Sequence, residues 1–417
     1  MTSPRNSSQI KDNNVRTLLY AIKQNGPIAK RDLQHLTGLS WGAVSSLTGE
    51  LQERGYVVLC GKQITSVGRK PAELDINGND FYLVGIDLNT SALSGVVTDL
   101  KGRIVREWTR LFARLDYDCV METLFSLLDE ILLQEFPEKC FLGIGLAVQG
   151  FVDVEKGVSV YLPRVRHWKN VPLKTMIEER YGHYTNLMHD PDCLMIAERT
   201  FGAVCLGLSQ NAILLRLDGG IGMSIMSNGQ LHMGANGKAG EFGHVSVRKD
   251  GPVCTCGNKG CLEELASGDG LVRRFVEQVN QGRKTIVDIS TLNTEGYRAL
   301  AMAAQKGDAL CMELFQQMGE CLGFALSGLM NVLDPELVVL YGELANYRTL
   351  FFGALFEQMN AHLYTGIAPK VIFSEQGKDA AAQGAALVVA DHVIDGIEIT
   401  AELEQLAKEK EEAGKNK

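Results

Sequence analysis

The sequence predicts an α/β protein with two parts, a small winged helix-turn-helix domain and a larger body of strands and helices. Residues 1–80 contain three short helical patterns followed by two strand-like runs. Residues 81–417 alternate apolar strand-like runs with longer helical patterns. The 417 residues are 45% hydrophobic and 22% charged, an ordinary globular composition that suffices for two or three domains. We place the domain boundary at the short polar stretch Ile76–Asp80.

Apolar spacing and chain-breaking residues define three helices in the first 80 residues. We predict them over Asn14–Gln24, Lys30–Leu36 and Trp41–Arg54. The turn before the third helix contains Gly38, which is free to adopt a left-handed conformation, and Ser40 is placed to cap that helix. Helix, glycine-containing turn and helix form the helix-turn-helix pattern, although the same spacing also fits an ordinary three-helix packing module.

The start of the third helix supplies candidate DNA contacts, because a recognition helix presents its N-terminal residues to base edges in the major groove. The candidates are Ser40, Trp41, Ser45 and Ser46. Small hydroxyl side chains reach phosphates or bases without crowding. The head therefore predicts binding to double-stranded operator DNA.

The run that follows the third helix predicts a wing. Strands are expected over Tyr56–Leu59 and Ala72–Ile76, with the polar loop Gly61–Val67 between them. Arg69 and Lys70 lie at the tip of this wing. A narrow cationic tip suits phosphates or a minor groove, so both residues are candidate DNA contacts.

Charge is unevenly distributed along the chain, and no segment predicts membrane insertion. The first 80 residues carry ten Lys and Arg against seven Asp and Glu, whereas the remainder carries 31 against 43. A mildly basic head on an acidic body fits a nucleic-acid-binding head joined to a ligand-binding body. No apolar run approaches the roughly 20 residues that span a bilayer, and the N-terminus lacks the apolar core of a signal peptide. We expect a cytoplasmic protein whose cysteines are reduced.

Four residues with metal-ligating side chains fall within eighteen positions, namely His244, Cys254, Cys256 and Cys261. One histidine and three cysteines are a closed tetrahedral set for a structural zinc ion. The neighbouring glycines allow a short loop to turn tightly. Reduced thiols in a loop and a disulfide are the alternatives, and a reducing compartment favours metal over disulfides. We predict one structural Zn²⁺ per chain.

The segment around these ligands resembles the signature of the ROK family, named after repressors, open reading frames and kinases. The resemblance lies in Gly240–His244 and in the run Cys254–Glu263, and in the head it includes Gly26–Ile28, Thr37–Ser40 and Gly68–Pro71. It covers nearly the whole chain. The presence of the head implies the repressor branch, since the family's sugar kinases lack it, and the body is implied to have the kinases' actin-like ATPase fold.

The resemblance also implies how the body is divided. The winged helix-turn-helix domain is expected over residues 1–80 and the sugar-binding body over 81–417. One lobe of the body is expected over about 81–195 together with the C-terminal helices. The other is expected over about 196–385 and includes the zinc loop.

A sugar site beside the zinc loop is a further implication of the resemblance. The family positions that match Glu241, His244 and Glu263 contact sugar hydroxyl groups. A carboxylate suits such a ligand because it accepts two hydroxyl hydrogen bonds at once. Asp190 matches the general base of the family's kinases, and His189 replaces an asparagine beside it. Without the resemblance, an aspartate before a helix is most often an N-cap.

Two other matching positions depart from the kinase pattern. Gln149 replaces a proline, and Arg164 replaces an asparagine in a loop that reaches the sugar in the family. We include Arg164 among the candidate sugar contacts. Both departures favour a substituted, acidic or phosphorylated sugar over a plain hexose.

The elements that match the family's ATP site are altered in two places out of three. Asp87–Ser91 lacks the two glycines of the first phosphate turn, and Tyr341–Leu344 replaces a triple glycine at the nucleoside. The second phosphate turn, Asp218–Gly222, is retained in part. Phosphoryl transfer needs backbone N–H groups close to the phosphates. We therefore expect no enzyme activity, and we expect Asp190 to contact ligand without catalysing.

These observations predict a sugar-responsive repressor of carbohydrate genes that a sugar or sugar phosphate releases from DNA. Closure of two lobes around a sugar is a two-state change that the head can read. A palindromic operator calls for two heads, so a homodimer or homotetramer is expected. The alternatives are an active sugar kinase with a DNA-binding head and a regulator controlled by a protein partner such as a sugar-transport protein.

Overall fold

The computed structural model describes residues 7–60, 64–65, 68–69, 72–137, 140–202, 204, 209–364 and 366–396. The chain forms two compact units. The first unit comprises Met1–Leu146, Pro163–Leu187 and Ala385–Lys417, and the second comprises Ala147–Leu162 and Met188–Gly384. The winged head therefore shares its unit with the first strands of the body and with most of the last helix.

The described helices and strands follow in chain order. Helices α1 to α6 span Ser7–Asn25, Lys30–Thr37, Trp41–Glu53, Tyr117–Asp129, Leu173–Tyr181 and Asp190–Phe201. Helices α7 to α13 span Leu262–Ala266, Gly268–Asn280, Leu292–Glu295, Tyr297–Gln305, Ala309–Leu333, Phe352–Ala361 and Ala380–Gly396. Strands β1 to β9 span Ile28–Ala29, Val57–Cys60, Ile64–Thr65, Gly68–Arg69, Glu73–Ile76, Phe81–Leu88, Leu93–Asp99, Ile104–Arg110 and Cys140–Val148. Strands β10 to β17 span Phe151–Asp153, Val158–Tyr161, Thr185–His189, Ala212–Leu217, Ile221–Ser227, Gln230–Leu231, Leu337–Tyr341 and Lys370–Phe373.

The three predicted helices of the head are confirmed as α1, α2 and α3, with α1 beginning earlier than expected. Local chemistry sets their ends. Gly38 terminates α2 in a left-handed conformation with φ 69°. The Ser40 side chain caps α3 by accepting a hydrogen bond from the Ala43 N–H at 3.3 Å.

A three-stranded sheet in the order β1-β5-β2 completes the head. The sequence missed β1, because its two residues are too few to show any periodicity. The predicted polar loop was wrong over Ile64–Thr65, which pairs with Gly68–Arg69 as a short antiparallel ladder. The rest of that loop and the wing residue Lys70 lie outside the described residues.

The first unit continues from the head into a five-stranded sheet of order β12-β9-β6-β7-β8, in which the consecutive strands β6, β7 and β8 run antiparallel to one another. One hydrophobic cluster joins the two parts. It contains Val15, Leu18 and Ile22 of α1 together with Val389 and Ile394 of α13. The head is therefore attached to the last helix through a shared apolar core.

The second unit is built on a sheet of order β15-β14-β13-β16-β17. Strands β13 and β14 form an antiparallel hairpin, whereas β16 and β17 run parallel to β13 and to each other. The long helix α11 packs an apolar face into the core of this unit. Asp308 caps α11 through the Cys311 N–H at 2.9 Å, and Pro335 follows its end at Asp334.

Apolar spacing in the body also predicts helices near Cys119–Gln134 and Thr294–Gln305, and both predictions are wrong in detail. The first ends as a π-helical segment over Glu130–Glu135. The second is divided by Gly296, whose φ of 55° is incompatible with a continuous right-handed helix. The charge-rich run Ala401–Lys417, for which composition predicts a solvated or frayed helix, lies outside the described residues. Within the part of the chain that is described, no helix is long and apolar enough to cross a membrane.

Candidate functional site

The N-terminal face of α3 presents the predicted DNA contacts to solvent. Ser40, Trp41, Ser45 and Ser46 are all exposed, with Trp41 at 52% of its full accessible surface. The opposite face of α3, which carries Leu47 and other apolar residues, is buried in the head. The helix therefore holds this polar face outward on a packed support, which is the arrangement a recognition helix needs. Of the two predicted wing contacts, Arg69 lies in the backbone ladder of β4, and Lys70 is beyond the described residues.

The four predicted metal ligands come together in the second unit. One donor atom from each of His244, Cys254, Cys256 and Cys261 lies within 4.8 Å of every other. The sulfurs of Cys256 and Cys261 are 3.7 Å apart, and Cys254 Sγ lies 3.8 Å from His244 Nδ1. This cluster can hold a metal ion.

Backbone hydrogen bonds shape the loop that carries the cysteines. The Cys254 N–H donates to the Asn258 carbonyl at 2.8 Å, and the Gly257 N–H donates back to the Cys254 carbonyl at 2.9 Å. Gly257 has φ 91°, a left-handed conformation that favours glycine. Cys261 is then the N-terminal flanking residue of α7, so the start of a helix fixes the fourth ligand.

The hairpin of β13 and β14 brings the predicted sugar contacts of the second unit into one neighbourhood. Glu263 on α7 accepts the Ile221 N–H through Oε2 at 3.2 Å. Gly243 packs against the same turn, since a Cβ there would lie 2.6 Å from the Ile221 carbonyl oxygen and 3.4 Å from Glu263 Oε2. His244 ends the short 3₁₀ segment Phe242–His244, and Glu241 is the residue just before it. Both residues are therefore held close to the hairpin by Gly243, which lies between them in the sequence. Glu241 is exposed and His244 half-buried.

Asp190 is the first residue of α6 and is buried, with 3% exposure. Asp190 does not cap this helix: His189 occupies the N-cap position without a side-chain cap bond, and Pro191 follows within the first turn. The Asp190 side chain instead accepts a hydrogen bond from Arg216 of β13, with Oδ2 2.5 Å from a terminal guanidinium nitrogen. His189 Nε2 lies 3.5 Å from the other carboxylate oxygen.

Arg216 is a site residue that the sequence did not reveal. Its Nε donates to Asp218 Oδ2 at 2.9 Å while the same guanidinium holds Asp190. Asp218 opens the retained phosphate-like turn, and its other oxygen accepts the Glu343 N–H at 2.6 Å. Arg216 could have been found from the sequence as the one charged residue in the otherwise apolar strand Ala212–Leu217.

Asp192 is a second buried carboxyl on the first turn of α6. Burial raises the pKa of Asp192, and the hydrogen bond that its Oδ1 accepts from the Ser224 hydroxyl at 2.6 Å opposes this rise. Ser224 belongs to β14, so α6 is tied to both strands of the hairpin. The Asp192–Ser224 bond supports the turn that carries Asp190.

Arg164 belongs to the first unit, whereas the other predicted sugar contacts belong to the second. It is exposed and has φ 62°. Its guanidinium donates to the Thr90 hydroxyl at 3.3 Å. Thr90 belongs to the altered first phosphate turn, so the structure associates Arg164 with that turn.

In both altered ATP elements, side chains form hydrogen bonds at positions where the family's kinases carry glycine. In the first turn, Asn89 Nδ2 donates to Asp87 at 2.8 Å while Asn89 Oδ1 accepts the Ser91 N–H at 2.9 Å. In the third, the Glu343 carboxylate accepts hydrogen bonds from Arg298 and from the Tyr297 hydroxyl, the latter at 3.2 Å. Asn89 and Glu343 thus form side-chain hydrogen bonds in turns where the kinase pattern has glycine, which has no side chain.

The head and the body of this chain each match the model of a known protein family. Residues 11–58 match the winged helix-turn-helix DNA-binding model, which makes the head a DNA-binding domain. Residues 83–392 match the model of the ROK family. This chain belongs to the ROK family, and the predicted fold class is confirmed.

Similar proteins include both regulators and kinases. The xylose repressor of Bacillus subtilis is 28% identical over 392 residues, covering 93% of this chain and 97% of the repressor. A crystal structure of a ROK family transcriptional regulator, a homologue of the Escherichia coli MLC protein, aligns with TM-score 0.79 and 24% identity over 94% of this chain and 98% of its own. The ROK hexokinase of Thermus thermophilus aligns with TM-score 0.63 and 28% identity over 76% of this chain and 100% of its own.

Proposed function

We propose that this chain is a transcriptional repressor that binds operator DNA through its winged head and is released by a sugar bound to its body. The observation that carries this is the fusion of the two parts in one chain. A DNA-binding head shares an apolar core with the last helix of a ROK body. The xylose repressor of Bacillus subtilis matches over 93% of this chain and 97% of its own length, so the match includes both parts.

The DNA contacts of the proposal are Ser40, Trp41, Ser45 and Ser46 on α3, with Arg69 and Lys70 on the wing. The exposure of the α3 face supports the first four. A wing arginine and lysine would contribute phosphate contacts, which add affinity and salt dependence more than sequence preference. Because a two-fold operator needs two heads at a fixed spacing, the active form is a homodimer or homotetramer.

The metal in the proposal is one structural Zn²⁺ per chain. Zinc–sulfur bonds of about 2.3 Å in a tetrahedron place two sulfurs roughly 3.8 Å apart, and Cys256 and Cys261 are separated by 3.7 Å. Four protein ligands leave no open position, so the ion would hold the loop and not activate water. With Nδ1 of His244 facing the metal, Nε2 remains for a ligand hydroxyl group.

The sugar contacts of the proposal in the second unit are Asp190, His189, Glu241, His244 and Glu263. The position of Asp190 and Glu263 against one hairpin supports this. Carboxylates accept hydroxyl hydrogen bonds in pairs, as a polyol requires. Arg164 of the first unit remains a predicted contact for the sugar or for its substituent.

Kinase activity is not part of the proposal. Backbone N–H groups must approach ATP phosphates closely, yet Asp218 already takes the Glu343 N–H. Asp218 and Glu343 would also place negative charge beside the phosphates. The ROK hexokinase of Thermus thermophilus has the same fold. Sugar-dependent ATP consumption by this chain would therefore support the alternative of an active sugar kinase.

The test is fluorescence anisotropy of the protein on its own upstream DNA, at one stated salt concentration. The DNA-bound protein is titrated with D-xylose, D-glucose, N-acetyl-D-glucosamine and their phosphates. Release by one of these supports the proposal and identifies the inducer. Tight DNA binding that none of them changes would contradict sugar release and favour control by a protein such as a sugar-transport component.

A further inference from the structure

Arg216 occupies a position in the second unit where its side chain meets the start of α6. It is paired with Gly222 across the antiparallel β13–β14 ladder and with Tyr341 across the parallel β13–β16 ladder. Cross-strand partners lie on the same face of a sheet. Pro191 of α6 packs over Gly222, since a Cβ at Gly222 would lie 2.6 Å from Pro191 Cγ. The face of the sheet that carries Arg216 is therefore the face covered by the first turn of α6.

The guanidinium of Arg216 bridges two carboxylates with two different N–H groups. One terminal nitrogen lies 2.5 Å from Asp190 Oδ2, and Nε lies 2.9 Å from Asp218 Oδ2. The side chains of Arg216 and Asp190 are only 15% and 4% exposed. Charge-assisted bonds in such a shielded place are strong and directional. They fix the rotation of the Asp190 carboxylate.

The hydrogen bond from Arg216 affects whether Asp190 can act as a general base or as a hydrogen-bond acceptor for a sugar. A general base must offer its lone pair to a substrate hydroxyl proton, but Oδ2 already accepts from Arg216. A hydrogen-bond acceptor for a bound sugar needs only a fixed carboxylate with lone pairs to spare, and a carboxylate has about four. The bridge also connects Asp190 through Asp218 to the backbone of Glu343.

We propose that Arg216 is a positioning residue, which holds Asp190 as a fixed acceptor for a ligand hydroxyl group and ties it to the Asp218 turn. The inference rests on the proposed function, because it takes Asp190 to be a sugar contact. Arg216 itself does not touch the sugar. Its effect on sugar affinity passes through Asp190.

The test is a double-mutant cycle on sugar affinity, measured by isothermal titration calorimetry on the full chain without DNA. The probes are D-xylose, D-glucose, N-acetyl-D-glucosamine and their phosphates. Arg216→Met should weaken binding about tenfold, as the loss of one charge-assisted hydrogen bond to the ligand contact would. Arg216→Lys should recover part of the loss, because one ammonium group keeps the charge but not the two-pronged geometry.

The decisive comparison is Asp190→Asn with and without Arg216→Met. If Arg216 acts through Asp190, the double variant binds sugar no more weakly than Asp190→Asn alone. Losses that multiply, or an unchanged affinity in Arg216→Met, would overturn the role of Arg216 while leaving the proposed function intact. A wild-type protein that binds none of these sugars or sugar phosphates would contradict the proposed function, and this inference with it.

Melting temperatures of the wild type and all four variants separate positioning from folding. Arg216→Met that loses stability but keeps its sugar affinity would make Arg216 a structural residue, which contradicts the proposal. Arg216→Lys that restores affinity without restoring stability would support it.

Discussion

The ion pair between Lys101 and Asp75 provides a quantitative test of how the head is attached. Lys101 lies in the turn between β7 and β8, and Asp75 lies on β5 of the head. Lys101 Nζ is 2.7 Å from one Asp75 oxygen and 2.9 Å from the other, and the two side chains are 10% and 11% exposed. The ammonium also reaches the Gly26 carbonyl at 3.3 Å. A shielded pair such as this one is costly to break on one side only.

The change is Lys101→Met, which keeps the alkyl chain and removes the charge. At an effective dielectric constant near 20, the direct attraction is about 6 kcal/mol, and the desolvation of both charges offsets part of it. Removing one partner of a buried pair costs about 3–5 kcal/mol, because the remaining charge is left uncompensated. In a unit of this size we expect the melting temperature to fall on the order of 10 °C.

The assay is thermal unfolding followed by circular dichroism at neutral pH, with two further variants. The double variant Lys101→Met with Asp75→Asn removes both charges and should recover most of the loss. Lys156→Met is the matched control, because Lys156 also pairs with an aspartate, at 2.9 Å, but is 75% exposed. A melting temperature for Lys101→Met within about 2 °C of the wild type would refute the reasoning.

Three further predictions follow from the metal cluster, the recognition helix and the buried carboxyl of α6. Cys256→Ala should lose bound zinc, measured by elemental analysis, whereas the exposed Cys140→Ala should keep it; full zinc retention would exclude Cys256 as a ligand. Trp41→Ala should weaken DNA binding at least several-fold by anisotropy, while Tyr364→Ala, an exposed aromatic of the second unit, should not; equal affinities would remove α3 from the interface. Burial raises the folded-state pKa of Asp192, so the wild type loses stability as pH rises from about 4 through that raised value. The melting temperature of Asp192→Asn relative to wild type should therefore increase over that pH range; a difference independent of pH would contradict this.

The parts of the fold that local chemistry determines were predicted well. The ends of α2 and α3 follow from a glycine that can turn left-handed and a serine that can cap, so Gly38 and Ser40 suffice to locate them. The His244 and cysteine cluster was also found from spacing alone, because its members are close in sequence. Two-residue strands such as β1 could not be found, since they depend on a partner strand far along the chain.

The candidate site was only partly predictable, because its central contacts join distant positions. Asp190 and Arg216 are 26 residues apart, and nothing in either local sequence indicates the other. Residue type alone favours Asp190 as a helix cap, and only the resemblance makes it a ligand contact; in the structure the cap position falls on His189. An aspartate at this position indicates a role at the start of α6. The contact of Asp190 with Arg216 of β13, which the local sequence does not show, determines what its side chain bonds.

The central claim is that sugar binding and DNA binding oppose each other in one molecule, and thermodynamic linkage tests it most directly. The sugar that releases the protein in the anisotropy assay is titrated by calorimetry into free protein and into protein saturated with its operator DNA, at the same salt concentration. Coupling is reciprocal, so the factor by which DNA weakens sugar affinity must equal the factor by which sugar weakens DNA affinity. We predict that the two factors agree and lie between roughly 5 and 150. Equal sugar affinities for free and DNA-bound protein would contradict the account.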